Sequence, residues 1–152
     1  MTIFRFGLGK AIIGPDTIET WARKIIDTDA TRTDYVLGLT DAGTLGNNET
    51  LSILFKNSDK IDSELWPIVF GLTSIRLKSD QINLKQACYT VEQASIEVFR
   101  ETGEFIGGMG LDDSYYLADS KIYGTLKLVR EEFDYLTGEY EDLGRDFLSA
   151  IK

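Results

Sequence analysis

Apolar residues recur at intervals of three and four along most of the chain, a period that predicts helices rather than strands. In segment 14–27, Ile18, Trp21, Ala22, Ile25 and Ile26 fall at i, i+3, i+4, i+7 and i+8. Pro15 sits where a first helical residue should, Asp16 and Glu19 suit the positive N-terminus, and Arg23 and Lys24 suit the other end. A shorter helix is predicted over 33–40 with Tyr35, Val36 and Leu39, ended by Asp41-Ala42-Gly43. Asn47 or Asn48 can cap the next, where Leu51, Leu54 and Phe55 share a face. From Ser63, the run Leu65, Trp66, Val69, Leu72, Ile75 is again helical in spacing. Pro67 fits there only in a first turn capped by Asp62 or Ser63, and a strand is the rival reading. The segment 80–102 repeats Leu84, Ala87, Cys88, Val91, Ala94, Val98 and Phe99 before Gly103, a natural C-terminal cap, and is read as the central helix.

The glycine-dense stretch Gly103 to Leu111 then reads as a loop or hinge. Beyond it Ile122, Leu126, Val129, Phe133 and Leu136 predict a helix of about five turns ending near Gly138. A last helix carries Tyr140, Leu143, Phe147 and Ile151 on one side, and Ile3 to Phe6 can form a short strand. The fold class expected is mainly α: one domain over 1–152, a bundle of about seven helices, with the glycine loop at 103–111 preceding an acidic C-terminal part.

Composition narrows the chemistry. A chain of 152 residues, 43% of them hydrophobic, can bury about 70% of the surface its unfolded form exposes, enough for a core without disulfide or metal. With no His and only Cys88, it has no set of soft ligands for zinc and no Ser-His-Asp or Cys-His pair. The net charge is -9 and is unevenly placed: residues 1–100 hold 13 acids and 11 bases, residues 101–152 hold 12 acids and 5 bases. Such a surface repels nucleic acid and anionic membrane, and favours a basic protein partner. The start Met1-Thr2-Ile3-Phe4-Arg5-Phe6-Gly7 lacks a basic segment followed by a long apolar one, no apolar run approaches a membrane span, and cysteine is scarce, so a cytoplasmic protein is expected. The Asn48-Glu49-Thr50 sequon is then a chance match.

Individual motifs fall short of their chemistry. Gly7-Leu8-Gly9-Lys10-Ala11 lacks the distal glycine and the Ser or Thr of a phosphate loop, with Phe4 and Ala11 in those places, and reads as a turn before the first helix. Asp27-Thr28-Asp29-Ala30-Thr31 opens like a calcium loop, but Arg32 and Gly38 stand where Gly and Glu are required, which leaves a cap and turn. Gly107-Gly108-Met109-Gly110 could offer N–H groups to an anion, yet Asp112 and Asp113 follow directly as first-turn residues of a helix, and a flexible linker is expected. Cys88 lies on an apolar stripe and reads as an inert thiol. No cofactor, metal or catalytic residue is expected.

The helix start Gly14-Pro15-Asp16-x-Ile18-x-x-Trp21-Ala22, the small acidic chain and its tyrosine-bearing acidic C-terminal helices resemble small bacterial immunity proteins of contact-dependent inhibition and other polymorphic toxin systems. The resemblance implies a non-enzymatic cytoplasmic protein that binds and blocks one cognate toxin domain; it implies no particular architecture. Tyrosine offers rigid contact area with a polar tip, and interleaved acids steer a basic partner. The candidate contact residues are therefore Asp112, Asp113, Glu131, Glu132, Asp134, Tyr135, Glu139, Tyr140, Glu141 and Asp142. Two other classes stay open: an adaptor subunit that docks through Trp66, Phe70 or the Phe105-Ile106 loop, and an enzyme built on paired carboxylates.

Overall fold

The computed structural model describes residues 1–28, 34–57 and 64–151. The fold is mainly α, as the periodicity predicts. Its helices are α1 (Thr2–Gly9), α2 (Pro15–Thr28), α3 (Asp34–Leu39), α4 (Ala42–Leu45), α5 (Asn47–Lys56), α6 (Trp66–Lys78), α7 (Leu84–Thr102), α8 (Leu111–Asp119), α9 (Leu126–Thr137) and α10 (Glu141–Ala150), with a 3-10 turn at Gly138–Tyr140. The proposed calcium-like turn beyond Thr28, the start of the 33–40 helix and the cap at Asp62 or Ser63 lie outside the described residues.

The additional helices have physical explanations. In place of a strand at Ile3 to Phe6 there is helix α1, which buries Ile3, Phe4, Phe6, Gly7 and Leu8 and, at eight residues, is too short for its helical period to be told from an alternating one. Gly7 and Gly9 belong to that helix and not to a turn before it. The four-residue α4 is too short to carry a period, and α8 is separate from α9. The long helix expected from Ile122 begins only at Leu126, because Gly124 takes a left-handed φ of 74° and Thr125 then caps, its Oγ1 accepting from the Leu128 N–H at 3.3 Å. Its other end is not a break: Gly138 keeps right-handed dihedrals, and the chain runs through the 3-10 turn into α10.

Two compact units are present, Met1–Lys60 with Phe147–Lys152, and Ile61–Asp146. In the first, α1 packs on α5, and α2 on α3 and α4, around Phe4, Ile12, Ile13, Ile18, Leu39 and Leu54. The Phe4 ring lies 4.9 Å from Trp21 and 5.8 Å from Phe147. Helix α4 starts where the Glu19 carboxylate accepts the Gly43 N–H at 3.0 Å. Neither asparagine caps α5; Gly46 holds that position, and Phe55, expected on the buried face, is 62% exposed.

In the second unit α6 packs on α7, α7 on α8, α8 on α9, and α9 returns to α6, closing a four-helix arrangement. Pro67 is in the first turn of α6, as its missing N–H requires, and the strand alternative is excluded. The central helix is α6, not α7: Val69, Phe70, Gly71, Leu72, Thr73 and Ser74 are buried in succession, which only a helix covered on several sides can do. Helix α7 keeps a solvent face that includes Phe99; it starts four residues later than expected, where the Asn83 side chain accepts from Gln86 N at 2.9 Å, and ends as expected at Gly103, φ 74°.

Candidate functional site

The acidic, tyrosine-bearing residues predicted for partner contact separate into an inner and an outer set. The inner set begins with Glu141, which is only 9% exposed. Its carboxylate accepts from Ser74 Oγ at 2.8 Å, from Arg145 Nη2 at 2.8 Å and from the Lys78 ammonium. Burial alone would raise this carboxyl's pKa, but the hydrogen bonds from Lys78, Ser74 and Arg145 outweigh it and hold it below the usual range. Glu141 therefore ties α10 to α6 and is not part of the exposed acidic surface. Tyr140 is likewise turned inward, its ring 4.9 Å from Trp66 and 6.1 Å from Phe70 in an edge-to-face cluster. Burial, with a hydrogen bond to the Glu139 carboxylate, pushes its phenol up to about 12.

The outer set is organised by α9. Val129, Phe133 and Thr137 bury one side of this helix. Leu128, Glu131, Glu132 and Tyr135 stand at i, i+3, i+4 and i+7 and share another side, all exposed, with Leu128 at 57% and Tyr135 at 86%. Glu139 is exposed in the following turn. Asp134 is off this stripe and accepts from Arg130 Nε at 3.0 Å, while Glu131 is 3.8 Å from Lys127 Nζ. On α8, Asp113 and Tyr116 are exposed and Asp112 is half-buried. Asp142 is exposed at the start of α10 and lies 3.6 Å from Arg145 Nη1. Sequence reasoning missed Leu128, although its place in the same i, i+3, i+4, i+7 series on the polar face was available.

The glycine loop is shaped by packing. Gly107, Gly108 and Gly110 all hold left-handed φ angles, and a Cβ on Gly108 would lie 2.7 Å from Ser95 Oγ and 2.7 Å from Val91 Cγ1. The start of α8 already has its anion: Glu92 on α7 accepts the Asp112 N–H at 2.8 Å. Cys88 is buried in α7, where burial and the carboxylates of Asp112, Glu132 and Glu92 push its thiol up to about 12, so it is inert at neutral pH.

Phe70 is fully buried and the half-buried Trp66 meets it edge-to-face at 4.9 Å, which leaves Phe105, 68% exposed, as the open member of the adaptor set. A shallow groove of about 410 Å³ is lined by Asp34, Tyr35, Gly38, Ile53, Lys56 and Asn57, and one of about 240 Å³ by Asn83, Lys85, Gln86, Tyr89 and Asp112. Neither brings two carboxylates together, as acid–base catalysis without histidine would need. Among the described residues no helix is long and apolar enough to cross a membrane, and no group of three or more carboxylates or thiols is placed to hold a metal ion.

Comparison with known protein families, with characterised proteins and with solved structures finds no match to this chain.

Proposed function

We propose that this chain is a non-enzymatic, cytoplasmic binding protein, an immunity protein that neutralises a cognate basic toxin domain by direct contact through the acidic helices of its C-terminal third. The observation that carries this reading is the outward stripe of α9, where Glu131 and Glu132 stand between Leu128 and Tyr135. Acids set among exposed apolar and aromatic groups combine long-range attraction for a basic surface with area to bury once the surfaces meet. A basic toxin, such as a nuclease that must hold a phosphate backbone, presents the complementary charge. Asp113, Tyr116, Glu139 and Asp142 extend the same chemistry on neighbouring elements. Asp112 takes part through its half-buried carboxylate, whereas Tyr140 and Glu141 support the surface from beneath.

The test is affinity capture of the tagged protein from lysate of its source organism at low and moderate salt, followed by expression of the retained protein with and without this chain. A basic protein that is lost as salt rises, is toxic when expressed alone and is harmless when co-expressed is the expected result. A retained protein that is harmless by itself would remove the immunity reading.

A further inference from the structure

The first compact unit is discontinuous in sequence. Helix α10 begins in the second unit, and its residues from Phe147 onward belong to the first. Those residues reach both α1 and α2. The Phe147 ring lies 5.8 Å from Phe4 on α1, and the same Phe4 ring meets Trp21 of α2 at 4.9 Å. The Lys24 ammonium on α2 donates to the Ala150 carbonyl at 2.9 Å, at a helix end whose carbonyls lack partners within the helix and favour a cation. Ile151, one residue further, is only 5% exposed. The rest of the unit is built from short pieces: α1, α3, α4 and α5 have 8, 6, 4 and 10 residues. Isolated helices below about 12–15 residues are marginal in water, so these depend on what packs against them. The second unit has longer ones, α6 with 13 residues and α7 with 19.

We infer that Phe147 to Ile151 form a latch: they close the first unit, and when they let go, α1 and α2 open together while the second unit stays folded. This is independent of the function proposed above. Proteins open locally in cooperative units of unequal stability, and a unit made of short helices and closed by a segment distant in sequence belongs at the low end. Release uncovers Phe4, now 3% exposed with Phe147 and Trp21 against it, and withdraws the Lys24 contact in the same step. The acidic stripe of α9 lies in the second unit, so it remains in place when the latch is open.

The experiment is hydrogen exchange of the full chain, read by mass spectrometry, on wild type, F147A/I151A and F147L/I151V. F147A/I151A is expected to speed exchange in α1 and α2 about tenfold or more and to leave α6 and α7 at wild-type rates, while F147L/I151V stays near wild type. If F147A/I151A leaves the first unit open throughout, α1 and α2 exchange like free chain and α6 and α7 remain protected, which supports the latch equally. The two tryptophans give a second reading, because Trp21 lies in the first unit and Trp66 in the second. In W66F, where only Trp21 reports, F147A/I151A should lower the urea midpoint of the fluorescence change; in W21F, where only Trp66 reports, it should not. Equal acceleration in all four helices would overturn the latch by showing one cooperative body, and so would unchanged exchange in α1 and α2.

Discussion

Glu141 shows how one carboxylate can be conspicuous in sequence as an acid and yet act as a structural tie. Its partners Ser74 and Lys78 are 67 and 63 residues away in the chain, so nothing local distinguishes it from Glu139 or Asp142. Removing it by Glu141→Ala leaves Ser74 without its acceptor and sets Lys78 and Arg145 against each other, a loss of about 1–3 kcal/mol by chemical denaturation. The pH dependence has a definite sign. Because the folded pKa is depressed, the tie's stabilisation is complete above the ordinary glutamate value and is lost as pH falls through the lower folded one. The wild type should therefore lose more stability than Glu141→Ala over that acidic window; parallel curves would show that the tie does not contribute. Tyr140 was similarly hidden, since its neighbour Trp66 is distant in sequence, whereas the outward position of Tyr135 follows from α9 periodicity alone.

At the level of elements, the sequence is informative where burial is one-sided and uninformative where it is not. Helix α7, with one buried stripe and a glycine at its end, was legible at its C-terminus to the residue, and its start was placed one turn early. The centrality of α6 was not, because burial around most of that helix removes the polar face that periodicity needs, and α1 was not, because two turns hold too few residues to fix a period. The α6–α10 crossing was invisible for another reason: it depends on Gly71 and Gly144 meeting. A Cβ on Gly144 would lie 2.7 Å from the Gly71 carbonyl carbon and 2.8 Å from Leu72 N, and one on Gly71 would strike the Tyr140 carbonyl. Gly71→Ala and Gly144→Ala should each cost about 2–4 kcal/mol, read as a clear fall in melting temperature; near-wild-type melting would mean that the helices can part without penalty. The turn after α8 predicts the opposite sign. Lys121 occupies a left-handed position that favours glycine, so Lys121→Gly should stabilise by about 0.5–1 kcal/mol, and a loss of stability would show that the Lys121 side chain contributes more than its backbone strain costs.

Across the molecule, a net charge of -9 is a long-range property, and its effect belongs to rates more than to contacts. With the partner in hand, E131K/E132K should slow association about tenfold at low salt, and the difference should shrink toward physiological salt, as stopped-flow mixing would record. Equal association rates would move the steering charge to other acids. The acidity of the last third was plain from composition; the turn between α8 and α9 was not. Ile122 was read into a helix because its spacing to Leu126 fits, and the glycine and threonine between them, which turn the chain and cap α9, are the signal that spacing overrode.

The α8–α9 turn is held by main-chain bonds, from the Ile122 and Tyr123 N–H groups to Leu117 O at 2.9 and 3.2 Å. Any amino acid other than proline can make them. The Ile122 and Tyr123 side chains bury little, so substitution at either leaves the turn's hydrogen bonds in place. Positions 122 and 123 can therefore change codon by codon, whereas Gly71 and Gly144 admit almost no substitution.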